Sequence, residues 1–267
     1  MVTARSNDGT TIAYETKGSG PAVVLVGGGL DDGSENEPLM HELAQYFTVI
    51  NYARRGRADS GDTQPYAVDR EIEDIDALVA TVGGTAHAFG ASSGGALTLL
   101  AAARGTALER IAVYDVPYAT DDDSVRVWEK YVADLHEALS RGARDVALGL
   151  FMGRLTGASE EEIDTARRTS PMWTTSAALA HTLAYDAACL GDQRPPVEEL
   201  ARITQPTLVL TGGAADPHMP GLHSFFDGAG DAVAAAIPDS SRRIVEAQTH
   251  VADPAVLASV LRTFYAF

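Results

Sequence analysis

Short runs of apolar and β-branched residues alternate with helical patterns along most of this 267-residue chain. The alternation predicts repeated strand–helix units and a mostly parallel sheet with flanking helices. Ala22–Val26 is apolar at every position, as expected of a strand that is buried on both faces. The other predicted strands are residues 11–15, 47–52, 87–89, 111–114, 207–211 and 243–245. The chain is therefore expected to form an α/β fold.

Residues 118–202 differ from the rest, because they contain helical patterns and no convincing strand. The segment begins with an acidic run at residues 121–123 and ends near Pro195 and Pro196, which are typical boundary features. An all-helical insertion between two strands would lie over the carboxyl ends of the sheet. We therefore expect core segments at residues 1–117 and 203–267, and an inserted helical cap at residues 118–202.

Charge and cysteine content limit the partners of the chain. Its 37 acidic and 20 basic side chains give a formal net charge of −17, which repels nucleic-acid phosphates and anionic lipid. Cys189 is the only cysteine, which excludes an intrachain disulfide bond and a cysteine metal cluster. No apolar run approaches the roughly 20 residues of a membrane helix, and residues 1–9 lack a signal-peptide pattern. We expect a cytoplasmic protein that binds a small molecule, with no nucleic-acid or membrane partner.

A glycine-flanked serine is the strongest chemical motif in the chain. Residues 90–94 have the pattern G-x-S-x-G, directly after a predicted strand and before a helical pattern. This context is that of a nucleophile elbow, in which the serine adopts a strained backbone conformation. Very small residues two positions before and after the serine leave room for the tight turn. Ser92 is therefore the candidate nucleophile, and Ser93, on the helical side of the turn, is its rival.

A serine hydroxyl is a weak nucleophile until a base removes its proton. His250 is the candidate base, because it follows the last predicted strand and precedes the terminal helix. That helix begins clearly, with Asp253 as the N-cap and Pro254 at the first helical position. The other histidines do not have this placement. No metal-binding spacing such as H-E-x-x-H is present, so no metal or cofactor is expected.

The imidazole also needs a carboxylate that fixes its tautomer and stabilises the imidazolium. Asp216 lies on the loop after the strand at residues 207–211 and is the first choice. Asp115 directly follows the strand at residues 111–114 and has the same kind of position. The sequence therefore predicts Asp216 as the acid and keeps Asp115 as the alternative.

The whole arrangement resembles the α/β-hydrolase fold superfamily over nearly the full length of the chain. The matching pieces are the strand at residues 23–26 with its glycine-rich exit, the arginine-rich turn at residues 54–60, the elbow at Ser92, Asp216 with Pro217, and His250. Members of this family usually carry the acid after the strand before last, where Asp216 lies. Some carry it one strand earlier, where Asp115 lies. The resemblance implies a serine hydrolase with an inserted helical cap.

Two positions depart from the family pattern. Residues 27–29 are all glycine where members often have His-Gly, and Ala53 stands where an Asp often precedes the arginine-rich turn. The glycines remain consistent with an oxyanion hole, since such a site uses backbone N–H groups. The resemblance implies Gly29 and Ser93 as the two donors, with Leu30 as the alternative to Gly29.

The remaining motifs give weaker expectations. A dinucleotide fingerprint at the glycine run fails on spacing, because Asp32 stands where a third glycine is required. Arg54, Arg55 and Arg57 are interpreted as a solvated turn, with a site for a substrate carboxylate as the alternative.

The cap is expected to set the specificity. Met172 and Trp173 follow a proline at a helix start, and with Leu30 and Tyr185 they are the predicted pocket residues. The function expected is hydrolysis of an ester, lactone or related acyl bond in a small apolar substrate. Lyase, acyltransferase or perhydrolase chemistry on the same fold is the alternative, as is a ligand-binding receptor. The sequence leaves the oligomeric state undetermined.

Overall fold

An eight-stranded sheet forms the centre of the molecule. The computed structural model describes residues 2–219 and 221–266. Met1 and Phe267, the outer bounds of the predicted core segments, lie outside these ranges. The strands are β1 (Val2–Arg5), β2 (Thr11–Lys17), β3 (Ala22–Val26), β4 (Thr48–Tyr52), β5 (Ala86–Ala91), β6 (Leu108–Tyr114), β7 (Thr207–Gly212) and β8 (Ser240–Val245).

The strand order across the sheet is β1-β2-β4-β3-β5-β6-β7-β8. β2 pairs antiparallel with β1 and with β4, and every other neighbouring pair is parallel. The expected mostly parallel α/β sheet is confirmed. Because β3, β5, β6, β7 and β8 run in the same direction, their carboxyl ends meet along one edge of the sheet.

Helices cover both faces of the sheet. They are α1 (Glu37–Leu43), α2 (Val68–Ala80), α3 (Ser93–Ala103), α10 (Leu222–Ala236) and α11 (Pro254–Tyr265). Alternate residues of β3 enter two separate apolar clusters, Val24 in one and Val23 in the other. The continuous apolar character of this strand thus reflects burial on both faces. Asp253 is the N-cap of α11, as predicted, since its carboxylate accepts from the backbone N–H groups of Ala255 and Val256.

Between β6 and β7 the chain forms only helices and connecting turns in the part that the structure describes. These are α4 (Asp122–Ser140), α5 (Arg144–Thr156), α6 (Glu160–Thr169), α7 (Trp173–Leu179), a 3-10 turn (Ala180–Thr182), α8 (Leu183–Leu190) and α9 (Val197–Leu200). We call residues 118–202 the helical segment. α8 packs against α3, so the segment lies beside the helix that follows Ser92.

Candidate active site

Ser92 lies at the junction between β5 and α3, with a backbone φ of 54° and ψ of −129°. A positive φ is strained for a serine, and such strain persists only where the surroundings impose it. A Cβ at Gly90 would come within 2.3 Å of the Thr98 hydroxyl, and one at Gly94 within 2.3 Å of the Val26 carbonyl. The two glycines are therefore required by the tight turn. The local geometry is that of a nucleophile elbow.

His250 lies on the loop after β8 and is held from two sides. Its Nδ1 atom lies 3.0 Å from Asp115 Oδ2, a separation at which the N–H donates to the carboxylate. The Phe226 ring stacks on the imidazole with a centroid distance of 4.7 Å and an interplanar angle of 6°. The Asp115 side chain is 2% exposed and that of His250 is 19% exposed. The imidazole is thus fixed while one edge remains accessible.

The Asp115 carboxylate is positioned by the neighbouring strand. Asp115 directly follows β6, its backbone N–H donates to Leu210 O, and its Oδ1 accepts from the Gly212 N–H at 3.1 Å. One carboxylate oxygen therefore accepts a hydrogen bond from the backbone of β7, and the other accepts one from His250. This arrangement fixes the direction in which the carboxylate meets the imidazole.

The preferred acid, Asp216, does not contact His250, and the structure brings the alternative, Asp115, against it instead. Asp216 lies four positions beyond the end of β7, where its Oδ1 accepts from the His218 N–H at 2.8 Å. Its carboxylate therefore closes a local turn. The physical reason is strand order: β6 lies between β5 and β7, so a residue directly at its end is nearer the elbow than one displaced along the next loop.

The glycine-rich loop after β3 passes directly beside the serine. A Cβ at Gly28 would lie 3.0 Å from Ser92 Cβ. In the part of the chain that the structure describes, the backbone N–H groups of Gly29, Leu30 and Ser93 donate to no protein acceptor. Leu30 has a φ of 62°, so the loop turns sharply at this residue. All three candidate oxyanion donors remain available, and the choice between Gly29 and Leu30 stays open.

The arginine-rich turn is buried, and its interpretation as a solvated turn was wrong. Arg54, Arg55 and Arg57 are each at most 1% exposed. Arg55 pairs with Asp74 at 2.7 Å and with Asp8 at 2.9 Å, and Arg54 pairs with Glu71 at 2.7 Å. Buried charges require such partners. The partners are far away in the sequence, which is why the burial could not be predicted from the turn itself.

Asp186 on α8 joins this turn to the loop and the elbow. Both of its oxygens accept from Arg57 at 2.8 Å, and Oδ1 also accepts from Arg54 at 2.6 Å and from the Ser93 hydroxyl at 2.7 Å. Arg57 also donates to the carbonyls of Gly28 and, at 3.1 Å, Asp31. Burial alone would raise the pKa of Asp186, but Arg57, Arg54 and Ser93 outweigh it and hold the pKa below its ordinary value.

Sequence reasoning missed Asp186 altogether. Its main partner, Arg57, is 129 positions away, and the surrounding residues of α8 form no recognisable motif. Only the packing of the helical segment on the core reveals it.

A cavity of about 790 Å³ lies between the ends of the strands and the helical segment. Ser92, Ser93 and His250 line its core side. The predicted pocket residues Leu30 and Met172 line it as well. Side chains of the helical segment that share this lining include Trp128, Tyr131, Phe151, Met152, Arg154, Leu155, Leu179 and Leu183.

The other two predicted pocket residues, Trp173 and Tyr185, are not among the residues that line the cavity. The Trp173 indole N–H donates to Asp145 Oδ1 at 2.9 Å, so this ring fastens α7 to α5. Tyr185 stacks on Tyr66 at a centroid distance of 3.8 Å, and its hydroxyl donates to Asp62. The two aromatic side chains therefore join structural elements, which sequence patterning cannot distinguish from a pocket role.

Two further features bear on the class of site. Among residues 2–219 and 221–266, no cluster of three or more His, Cys, Asp or Glu side chains could hold a metal ion. Within the same residues, no helix has the length and apolar character needed to cross a bilayer.

The chain is similar to known proteins along its whole length. A solved alpha/beta hydrolase from Sphaerobacter thermophilus DSM 20745 is 42% identical, with a TM-score of 0.86 over 99% of this chain and all of that one. An enol-lactonase from Burkholderia xenovorans LB400 is 23% identical, with a TM-score of 0.69 and full coverage of both chains, which is a likeness of fold.

A shorter match joins the chain to the uncharacterized hydrolase YraK of Bacillus subtilis (strain 168). The two are 35% identical over 95 residues, which are 34% of this chain and 35% of YraK. The sequence profile of the Alpha/beta hydrolase family matches residues 23–260, the range that contains the elbow, the helical segment and His250. On this match and the sheet described above, the chain belongs to the alpha/beta hydrolase family.

Proposed function

We propose that the protein is a serine hydrolase that cleaves an ester or lactone bond of a small substrate, with Ser92, His250 and Asp115 as its catalytic triad. The observation that carries this proposal is the contact between His250 Nδ1 and Asp115 Oδ2 at 3.0 Å, at the edge of a cavity that Ser92 also lines. A nucleophile, a base and an orienting acid are the components that acyl transfer requires. The strained turn at Ser92 supports the same assignment.

The reaction follows from these positions. Because Nδ1 of His250 faces Asp115, its Nε2 is the nitrogen left to accept the Ser92 proton. Ser92 Oγ then forms a bond to the acyl carbon, and His250 gives the proton to the leaving oxygen as the acyl–oxygen bond breaks. Water, deprotonated by the same nitrogen, then attacks the acyl carbon; the bond to Ser92 Oγ breaks, His250 returns the proton to Oγ, and the acid is released. Asp115 keeps the imidazole in the required tautomer and stabilises the imidazolium.

The oxyanion of the tetrahedral intermediate would be bound by backbone N–H groups. Ser93 supplies one donor from the first turn of α3, and Gly29 or Leu30 supplies the other. The dipole of α3 adds to the stabilisation of negative charge at this end of the helix. Donors that are fixed before the reaction stabilise developing charge without reorganisation, and losing one typically costs about 10²- to 10³-fold in rate.

The helical segment acts in this proposal as a cap that selects the substrate. Its contribution to the cavity is mainly apolar, and two exposed apolar side chains of the segment lie on the lining: Met172 at 62% and Val127 at 58% exposure. Such a surface favours a small substrate with an apolar portion. The enol-lactonase among the structural relatives supports ester and lactone bonds as the class.

Turnover of p-nitrophenyl butyrate tests the proposal. We expect Ser92→Ala and His250→Ala to lower kcat by about 10⁴-fold or more, because members of a triad act as a unit. Ser259→Ala, which changes an exposed serine on α11, should leave kcat unchanged. A fluorophosphonate probe should label the wild type on Ser92, as identified by peptide mapping.

Other outcomes would overturn the proposal. A label on Ser93, or turnover that survives Ser92→Ala, would contradict the nucleophile. Absence of turnover together with saturable binding of small molecules would favour a ligand-binding receptor. Products of a lyase, acyltransferase or perhydrolase reaction in place of the free acid would favour that chemistry instead.

A further inference from the structure

One cation lies in the wall of the cavity, and its surroundings differ from those of every buried arginine near the elbow. Among the described residues, Arg154 is the only lysine or arginine that lines the cavity. It lies in the last turn of α5, with its guanidinium carbon 5.1 Å from the centroid of the Trp128 ring and 5.7 Å from that of Tyr131. The aromatic faces orient the guanidinium within the cavity wall.

Among the described residues, Arg154 has no acidic partner. No carboxylate lies within 4.0 Å of its guanidinium nitrogens in the part of the chain that the structure describes, whereas Arg54, Arg55 and Arg57 each pair with at least one. The side chain hydrogen bond of Arg154 is a donation to Gln193 Oε1 at 3.0 Å. A guanidinium carries five N–H donors, so most of its capacity is unused.

A purely structural role accounts for only part of this arrangement. A cation in the last turn of α5 interacts favourably with the helix dipole, and stacking on Trp128 and Tyr131 contributes packing. Neither interaction uses the remaining N–H groups. Burial lowers the pKa of Arg154, although an arginine keeps its charge at neutral pH. A structural role therefore does not explain why the partly buried guanidinium of Arg154 lacks a carboxylate partner.

We propose that Arg154 forms a subsite for a carboxylate, so that the preferred substrate is an ester or lactone whose acyl portion carries a carboxylate remote from the reacting carbonyl. This inference rests on the proposed function, since Ser92 and Arg154 line one cavity. A planar carboxylate matches the paired N–H groups of a guanidinium, and the apolar side chains that share the lining suit the carbon chain of such a substrate.

The charge of the protein favours a singly charged group at this position. The net charge of −17 opposes the entry of anions, and Asp31, Asp32 and Asp123 also line the cavity. A doubly charged phosphate would meet stronger repulsion than a carboxylate. Arg154 supplies the local positive field that the neutralised Arg54, Arg55 and Arg57 do not.

The test compares esters that differ in one group. Mono-p-nitrophenyl adipate carries a terminal carboxylate where p-nitrophenyl hexanoate carries a methyl group, and mono-p-nitrophenyl suberate pairs with p-nitrophenyl octanoate in the same way. For each enzyme form, the quantity measured is the ratio of kcat/KM for the anionic ester to that for the neutral ester. Arg154→Met should lower this ratio by about 10- to 100-fold for at least one pair, the range for a charge-assisted hydrogen bond.

Arg167→Met is the matched control. Arg167 is also an arginine of the helical segment that stacks on a tryptophan, with its guanidinium carbon 5.6 Å from the Trp173 ring, but it does not line the cavity. Both changes remove one positive charge, so a general effect of net charge would alter the ratio equally. Arg154→Lys, which keeps the charge and loses the paired geometry, should recover part of the ratio.

Binding to the inactive Ser92→Ala variant separates this inference from the proposed function. Adipate should bind more tightly than hexanoate by isothermal titration calorimetry, and adding Arg154→Met should abolish the difference. If the neutral esters are hydrolysed but Arg154→Met leaves the ratio unchanged, the subsite is contradicted and the hydrolase stands. If no ester is hydrolysed while adipate binding still depends on Arg154, the proposed function is contradicted and the subsite stands. Equal binding of adipate and hexanoate overturns the subsite in either case.

Discussion

The two walls of the cavity are built in different ways. The core wall consists of the groups at the ends of the strands: residues 28–30, Ser92, Ser93 and His250. The helical wall consists of the lining side chains of the helical segment, among them Phe151, Met152 and Met172. The core wall is fixed by hydrogen bonds, buried ion pairs and strained turns. The helical wall is formed largely by apolar side chains on helices.

This difference separates two tasks. Bond chemistry depends on groups held at defined positions, and even small displacements of a donor or base are costly in rate. Selection among substrates does not require such fixed positions, since flexible methionine side chains adapt to ligands of different shapes. Substitutions in the core wall should therefore affect kcat strongly, and substitutions of the apolar side chains in the helical wall should affect KM modestly.

The strongest test of the core wall distinguishes its two candidate acids. Asp115→Asn should lower kcat by about 10²- to 10⁴-fold, because an amide neither holds the required tautomer nor stabilises the imidazolium. Asp216→Asn should change kcat by no more than about twofold, as for a surface substitution. Both variants are measured on p-nitrophenyl butyrate. A large loss in Asp216→Asn with little loss in Asp115→Asn would restore the choice made from the sequence.

The contrast between Asp115 and Asp216 indicates how much of the site can be predicted from the sequence. The predicted strands and the elbow are local patterns, and each is found where expected, although β1 and α10 were not predicted. The choice of acid depends on which strand lies beside β5, and strand order is a property of the whole sheet. The pairing of Arg57 with Asp186 spans 129 positions and depends on how α8 packs on the core. Local patterns therefore predict the elements and the strained turn at Ser92, whereas the contacts between distant residues depend on tertiary packing.

Asp186 tests whether the buried ion network that joins α8 to the core wall positions the glycine-rich loop at residues 28–30. Asp186→Asn leaves the buried Arg57 without its carboxylate partner, while Arg54 retains Glu71, and should lower the free energy of unfolding by about 3–5 kcal/mol. Because Arg57 also holds the Gly28 carbonyl, kcat should fall by about 10- to 100-fold with little change in KM. Urea unfolding and ester kinetics measure the two effects.

A second variant separates positioning from stability. Arg57→Met combined with Asp186→Leu removes one charge of each sign, so much of the lost stability should return. The kcat should remain low, because Arg57→Met removes the donor to the Gly28 and Asp31 carbonyls. Recovery of kcat together with stability would show that the network is only structural.

The pH dependence of stability adds an independent readout on Asp186. Its pKa is lower in the folded protein than its ordinary value of 3.8, so the unfolded chain binds the proton more readily. The stabilisation from this carboxylate is therefore present above about pH 4 and is lost as the pH falls through the folded-state value. The stability gap between wild type and Asp186→Asn should be constant near neutral pH and narrow on acidification.

Asp134→Asn is the control for the loss of charge. It removes a surface ion pair with Lys130 on α4, which should change the free energy of unfolding by at most about 1 kcal/mol.

The smallest effect is expected on the helical wall. Met172 is 62% exposed at the rim of the cavity, so Met172→Ala removes apolar surface that a bound acyl chain would cover. Loss of one or two methylene-sized contacts should raise KM for p-nitrophenyl hexanoate by about 3- to 10-fold and leave kcat nearly unchanged. Val197→Ala, an exposed apolar residue of the helical segment outside the cavity, should leave KM unchanged. A fall in kcat in Met172→Ala would mean that the rim also orients the reacting carbonyl, and the division of tasks between the two walls would then fail at this residue.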